Sequence, residues 1–419
     1  MLTMKIVLFS NAYPYYGETF LETELKFIPS NIKVALFPFA QSPETYVEKT
    51  ANQNLELHRY TGAKSPLNSL VACGRAAKCF LEKNEVKYAL QKPNAFRNMA
   101  KALKFSYIAE LRITQIAKWI EENCSSQESI VLYSYWMYEV AYLAARLKEH
   151  FPYCKFVTRC HGYDLYEERH RNGYLPYRSF IMGKADAIFA ISNQGKQYLH
   201  DTYAGKFDPK ITLARLGTIR LYEVDLQTPK PKKISIVSCS NLIPLKRVDR
   251  IISTLSKATE EIEWVHFGDG TEDKLLKEQA KNLPPNVSYR FMGRLLNKEI
   301  QKYYSTHRIT AFVNVSKTEG VPVSIMEAQS YAIPVIATDV GGTEEIVING
   351  KNGVLLNKDF TDEQLLCAIK KVQNSWNYYS AEALNTWKKM SDAQQTATYF
   401  FKALECLGSQ NGLSKEEKL

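Results

Sequence analysis

Twice along this chain, short runs of β-branched, aromatic and aliphatic residues alternate with longer amphipathic stretches. In the first half the runs are Lys5–Ser10, Lys33–Pro38, Ser129–Tyr133, Lys155–Arg159, Ala187–Ile191 and Ile211–Arg215. In the second they are Ile234–Ser238, Glu263–Phe267, Val287–Met292, Ile309–Val315, Val335–Ala337 and Val354–Leu356. Strand-length runs separated by helix-length segments build parallel sheets with helices on both faces. Two such series predict an α/β protein of two doubly wound, Rossmann-like domains. Between them, residues 226–233 read LQTPKPKK, whose two prolines and three lysines oppose a regular element and place the linker there. The expected domains are therefore 1–225 and 226–390, with a helical excursion over about 60–125. A helix over 391–410, with Ser391 as candidate N-cap, is expected to pack back on the first domain through Tyr399, Phe400 and Phe401. A frayed polar tail follows at 411–419.

Composition removes several classes of function. The chain has 419 residues, 45% of them hydrophobic, so each half can bury a core. Its eight cysteines form no CxxC pair and no metal-type spacing, and they are too sparse for a disulfide scaffold; a reduced, cytoplasmic setting is expected. No apolar run reaches the roughly 18–20 residues of a membrane-spanning helix. The nearest, Val131–Ala145, is interrupted by Glu139, and the N-terminus lacks a signal-peptide pattern. No zinc-finger, P-loop or RNA-binding pattern appears, so no nucleic-acid partner is expected. The formal net charge is +10, with lysines and arginines dense between Arg59 and Lys104. Such a segment suits anionic lipid head groups or a phosphate-bearing substrate, and equally a solvated helical surface.

Polar and glycine clusters follow the expected strands, and ligands of doubly wound sheets bind beyond the carboxyl ends of strands. These clusters are Asn11–Gly17, His161–Asp164, Asn241–Arg247, Gly268–Gly270 and Gly293–Arg294. The richest is EGVPVSIMEAQSYAIPVIATDVGGTEEIV, residues 319–347. Pro322 fits a helix start, placing Glu319 in the loop ahead of the helix and Glu327 about a turn and a half into it. A helix N-terminus offers free N–H groups to a phosphate, and carboxylates beside it accept hydrogen bonds from sugar hydroxyls. His161 after a strand and before Gly162 is a site candidate; Asp164 is explained by a turn or cap as readily as by a site. Tyr133, Tyr135, Trp136 and Tyr138 suit a sugar groove or the core.

These motifs resemble the retaining glycosyltransferases of family 4, which have the two-domain GT-B fold with domains facing across a cleft. The matching residues are Glu319-Gly320-Val321-Pro322, Met326-Glu327-Ala328, Pro334–Ala337, Gly341-Gly342 and Glu345. Upstream the likeness extends to Ser238–Ile252, to HFGDG and to Phe291–Leu295. In the first half it is looser, through Tyr13–Leu25, Thr158–Arg169 and Ile191–Asn193. Sequences of this kind look like enzymes of bacterial polysaccharide, capsule or lipopolysaccharide assembly.

The resemblance implies a role for each residue. Glu327 binds the ribose of a nucleotide-sugar donor, Glu319 faces the transferred sugar, and the Gly320–Pro322 backbone contacts sugar and diphosphate. Lys246 neutralises the departing diphosphate. The backbone at Met292, Gly293 and Arg294 cradles the base. His161 approaches from the first domain, and the loop at Gly17 closes over phosphates or admits acceptor. One departure stands out: the family places an arginine where this chain has Asn241, and Arg247 is the candidate to replace its charge. The implied enzyme is a metal-independent, retaining glycosyltransferase with no cofactor beyond its nucleoside-diphosphate sugar. Its acceptor is a glycan or lipid-linked sugar, and it sits in the cytoplasm or at the inner membrane face, in peripheral contact with anionic lipid. A sugar-nucleotide epimerase, a phosphorylase or a non-catalytic binding relative of the same fold remains open, as do the base, sugar and acceptor.

Overall fold

The computed structural model describes residues 4–13, 19–41, 52–58, 60, 66–82, 84–224 and 230–408. The chain forms two compact units, Met1–Arg215 with Ala397–Leu419, and Leu216–Thr396. Residues 226–229 of the expected linker lie outside the described residues, as do Gly17 and the 411–419 tail.

In chain order the first unit contains β1 (Met4–Tyr13), α1 (Thr19–Leu25), β2 (Ile32–Gln41), β3 (Leu55–Leu57), α2 (Pro66–Glu82), α3 (Glu85–Leu90) and α4 (Ala95–Asn123). It continues with β4 (Ser129–Ser134), α5 (Glu139–His150), β5 (Lys155–Cys160), α6 (Arg178–Lys184), β6 (Ala187–Ala190), α7 (Asn193–Thr202) and β7 (Ile211–Leu213). The strands form one sheet in the order β3-β2-β1-β4-β5-β6-β7, every neighbouring pair parallel. Alternate residues of β1 serve opposite faces, as a strand's period of two requires. Val7 and Phe9 join Leu132 and Phe156 under α4 and α5, while Ile6 and Leu8 join Tyr133 and Val157 on the other side.

The second unit holds β8 (Ile234–Cys239), α8 (Val248–Leu255), β9 (Ile262–Phe267), α9 (Asp273–Ala280), β10 (Val287–Phe291), α10 (Asn297–Thr306) and β11 (Ala311–Asn314). Then come α11 (Val323–Ser330), β12 (Val335–Thr338), β13 (Gly353–Leu356), α12 (Asp362–Asn374) and α13 (Trp376–Met390). Its parallel sheet runs β10-β9-β8-β11-β12-β13. The helix α8 shows why the pattern folds this way: Val248, Ile251, Ile252 and Leu255 recur at helical spacing and are buried.

All twelve expected strands are present, and both sheets have the doubly wound parallel form. The added strand, β3, is three half-buried or exposed residues at a sheet edge, with no apolar run to announce it. The last helix, α14 (Ala393–Gly408), begins in the second unit and continues in the first. Within the first unit it lays Phe400 against Tyr133 and Phe189, with ring centroids 5.0 Å apart in each case. Its cap is not Ser391, which is buried with its carbonyl bonded to the Thr218 amide. Asp392 does that work: its Oδ1 accepts from the amides of Gln394 (2.8 Å) and Gln395 (3.2 Å).

Candidate functional site

Each sheet reverses its strand order once, between β1 and β4 in the first unit and between β8 and β11 in the second. At such a point the loops leaving two adjacent strands diverge, opening a crevice at the strand ends. In the second unit those loops carry Lys246, after β8, and Glu319, after β11. Their charges meet: Lys246 Nζ lies 2.6 Å from Glu319 Oε1. Asn314, the last residue of β11, donates its Nδ2 to the same oxygen at 3.2 Å. Glu319 is largely buried, so the pair is shielded from water and stronger than a surface ion pair.

The glycine turn after β12 holds Glu319 in place. Gly341 is left-handed (φ 60°), and a Cβ there would stand 2.1 Å from the Glu319 carbonyl oxygen. The next amide, of Gly342, donates to the Gly320 carbonyl at 2.8 Å. Two backbone segments are thus pressed together at a distance that only glycine permits. A short 3₁₀ turn, Gly341–Glu345, follows, with Glu345 half-buried at its end. Pro322 is the residue before α11 rather than within it, in extended conformation, and Val321 is half-buried beside it. A Cβ at Gly320 would meet nothing within 4 Å, and the same holds at Gly293.

Glu327 projects from the second turn of α11. Burial pushes its carboxyl up to about 7, while the 2.6 Å hydrogen bond from Asn297 Nδ2 pulls the other way. Cys239 and Tyr304 feel its charge, and burial pushes the Cys239 thiol up to about 12, with Lys246 opposing the rise. Asn297, Asn314 and Cys239 were not expected from the sequence; their signal is a polar side chain at a strand end or helix start.

Arg247 is left-handed (φ 50°), an uncommon backbone for a non-glycine residue. Its guanidinium donates to three carbonyls, of Val315 (2.7 Å), Lys358 (2.8 Å) and Ser316 (3.3 Å). Those bonds offset the strain and anchor the loop that carries Glu319. The group expected to replace the charge missing at Asn241 is thus engaged as a loop anchor. Asn241 itself is exposed at the start of the same loop.

The loops after β9 and β10 are held together by close backbone approach. Cβ atoms at Gly268 and Gly270 would lie 2.0 Å from the Ser240 carbonyl oxygen and 2.3 Å from that of Leu242. Gly268 donates to the Gly293 carbonyl at 2.8 Å, and Arg294 Nε reaches Asp269 Oδ1 at 3.1 Å on the exposed rim. Beneath lies a network that sequence reasoning missed. Trp264 Nε1 donates to Ser238 Oγ (3.0 Å), His266 Nδ1 meets the same hydroxyl (2.8 Å), and His266 Nε2 meets the Ser240 carbonyl (3.1 Å). Burial lowers the His266 pKa to about 4, so the ring is neutral, with Nε2–H donating to Ser240 and Nδ1 accepting.

His161 belongs to the first unit, after β5. It is buried against Trp136 and Tyr135, with ring centroids at 4.2 and 4.9 Å. Neither ring nitrogen has a hydrogen-bond partner among the described residues; Nδ1 stands 3.7 Å from Asp164 Oδ2. Asp164 is fully buried and ties two loops together, accepting from the His161 amide (2.5 Å) and the Met137 amide (2.6 Å). Its work is positional. Tyr133 and Tyr135 are core residues, and Trp136 and Tyr138 are half-buried. Among the described residues, no group of three or more His, Cys, Asp or Glu side chains is placed to hold a metal ion. None of the eight cysteines forms a disulfide.

Known proteins resemble this arrangement. The family model "glycosyl transferases group 1" matches residues 224–390. The GtfA subunit of a UDP-N-acetylglucosamine–peptide N-acetylglucosaminyltransferase from Streptococcus pneumoniae is 25% identical over 244 residues, 52% of this chain and 47% of that one. The O-antigen biosynthesis glycosyltransferase WbnH of Escherichia coli is 23% identical over 228 residues, 52% of this chain and 64% of that one. The chain thus spans about half the length of the GtfA subunits it matches. Among solved structures, the lipopolysaccharide outer core galactosyltransferase WaaB shares the fold over 97% of this chain and 100% of its own, with TM-score 0.67 and 15% identity. Anabaena HepE in complex with UDP does so over 96% and 99%, with TM-score 0.66 and 15% identity. Residues 224–390 thus match the glycosyl transferases group 1 model, on a chain that shares the two-unit GT-B fold of solved glycosyltransferases.

Proposed function

We propose that this protein is a retaining glycosyltransferase that takes its donor as a nucleoside-diphosphate sugar on the second unit. The observation that carries this reading is the Lys246–Glu319 pair at the β8–β11 reversal. A lysine ammonium with donors to spare suits a diphosphate, and it neutralises charge as the bond to the sugar breaks. Glu319 then turns from its partner to the sugar hydroxyls, and Glu327 takes the ribose hydroxyls. The open faces of Gly320 and Gly293 let backbone approach sugar and base closely. UDP is the nucleotide in the HepE complex, and we assign a uridine diphosphate donor here.

In the proposed reaction an acceptor hydroxyl attacks the anomeric carbon on the face from which the diphosphate leaves. The bond from carbon to phosphate oxygen breaks, and the departing phosphate takes the hydroxyl proton. Lys246 carries the neutralisation without a divalent ion, so a chelator leaves turnover unchanged. His161, flanked by Trp136 and Tyr135, serves the acceptor side, and the acceptor is a glycan or lipid-linked sugar of cell-surface polysaccharide synthesis at the cytoplasmic membrane face.

The test is a thermal-shift series with UDP-, GDP- and ADP-sugars, because a bound donor stabilises the folded state. The UDP-sugar is expected to raise Tm, and acceptor addition is expected to release UDP. No shift with any nucleotide overturns the donor assignment; UDP-sugar turnover without acceptor favours an epimerase, and a requirement for inorganic phosphate a phosphorylase.

A further inference from the structure

We infer that the outer faces of α2, α3 and the start of α4 form a docking surface for an anionic phospholipid bilayer. The helix α2 is apolar on two sides. Ala72, Ala76, Cys79 and Phe80 recur at helical spacing, are buried, and pack toward α4. On the other side Leu67, Leu70, Val71 and Leu81 share a second stripe and are 69%, 71%, 43% and 69% exposed. A helix apolar all round is ordinarily buried on both sides. Leu90 of α3, and Phe96 and Leu103 of α4, are exposed as well, Phe96 at 86%. Of sixteen large hydrophobic side chains exposed among the described residues, seven fall within this stretch of fewer than forty.

Charge identifies the occupant. Between Arg59 and Lys104 the sequence has ten lysines and arginines against two acids, most of the chain's formal net charge of +10. Arg75, Lys78, Lys87, Arg97 and Lys104 are all exposed among the apolar side chains. Of the two acids, Glu85 is buried and bonded to the Tyr174 hydroxyl, and Glu82 is spent on Lys78 one turn earlier. An apolar protein partner would account for the leucines and leave the excess of cations over acids unmatched. Apolar side chains entering the head-group layer, ringed by cations, match an anionic lipid surface, which attracts Lys and Arg side chains lying near it.

The experiment is flotation of the full chain with vesicles of phosphatidylcholine alone, or with phosphatidylglycerol at roughly one part in three. Binding to the anionic vesicles only, weakened by high salt, is expected. A triple variant, Leu67→Glu with Leu70→Glu and Leu81→Glu, should lose binding by roughly tenfold or more while keeping its Tm. A second, Arg75→Glu with Lys78→Glu and Lys87→Glu, should do the same through charge alone. Absent binding to anionic vesicles, or binding untouched by either variant, overturns the proposal. So does a concentration-dependent dimer that the leucine variant abolishes, which would assign the face to a second copy. Vesicle binding is read without nucleotide, and the nucleotide thermal shift is followed in the same variants, so its failure is separable from failure of the donor assignment.

Discussion

At the β8–β11 reversal of the second unit stand a lysine and two glutamates; beside the β1–β4 reversal of the first stand Tyr135, Trp136 and a single histidine. The means of support differ too. Backbone pressed on backbone fixes the second crevice, through Gly341 on Glu319 and Gly268 on Ser240. Side-chain hydrogen bonds fix the first, through Asp164 to two amides. A preset charge arrangement suits a ligand whose charge grows during reaction, since fixed groups need no reorganisation. An aromatic wall with one polar tip suits a neutral, hydroxyl-rich ligand. The same sheet geometry thus presents two chemically unlike surfaces.

Removing the cation is the hardest blow to that contrast. Lys246→Ala is expected to lower kcat by about 10²–10³. His161→Ala, on the aromatic side, is expected to cost only about tenfold, read mostly in acceptor KM. A larger loss in the histidine variant, measured side by side, would reverse the division of labour. Gly341→Ala tests the backbone support: its methyl must displace the Glu319 carbonyl, and the left-handed φ adds strain of about 1 kcal/mol or more. A lower Tm is expected together with a lost nucleotide shift.

Glu327→Gln sharpens the electrostatic side. Its carboxyl is held up at about 7 against an ordinary 4.5, so between those values the unfolded chain releases its proton first. Stability from this group is full below pH 4.5 and is lost as pH rises through 7. The glutamine variant should flatten that part of the Tm–pH curve. Ribose hydroxyls donate best to the ionised form, so nucleotide affinity in the parent should rise from pH 6 to 8, by roughly tenfold, and stay level in the variant.

Much of this contrast was legible in the sequence, and the illegible part has a common cause. Apolar periodicity located twelve strands because buried parallel strands must be apolar on both faces. β3 escaped because three half-exposed edge residues carry no such constraint. Glu319 and Glu327 stood out as candidates by strand-end position and motif spacing, and Lys246 through the family resemblance. The Lys246–Glu319 pairing was not, since the two residues are far apart in sequence and meet only through the order of strands. Arg247 shows the limit of reasoning from charge: adjacency to Lys246 suggested a phosphate contact, whereas its left-handed backbone turns the guanidinium onto three carbonyls. His266 looked like part of an apolar strand, and only the fold sets it between Ser238 and the Ser240 carbonyl.

The smallest expected effect lies at the rim of the charged crevice. Arg294 and Asp269 pair at 3.1 Å with side chains 67% and 46% exposed, so water and salt screen them. Exposed pairs of this kind contribute about 0–1 kcal/mol. The Gly268–Gly293 backbone bond already joins the same two loops. Arg294→Ala should therefore leave Tm nearly unchanged and weaken nucleotide binding by no more than about threefold at moderate salt. That small loss should vanish at high salt, whereas the Lys246→Ala loss, at a shielded pair, should persist. A salt-resistant, tenfold loss from Arg294→Ala would mean that the guanidinium leaves Asp269 to grip the nucleotide directly, and the charged crevice would then extend from Lys246 to the base.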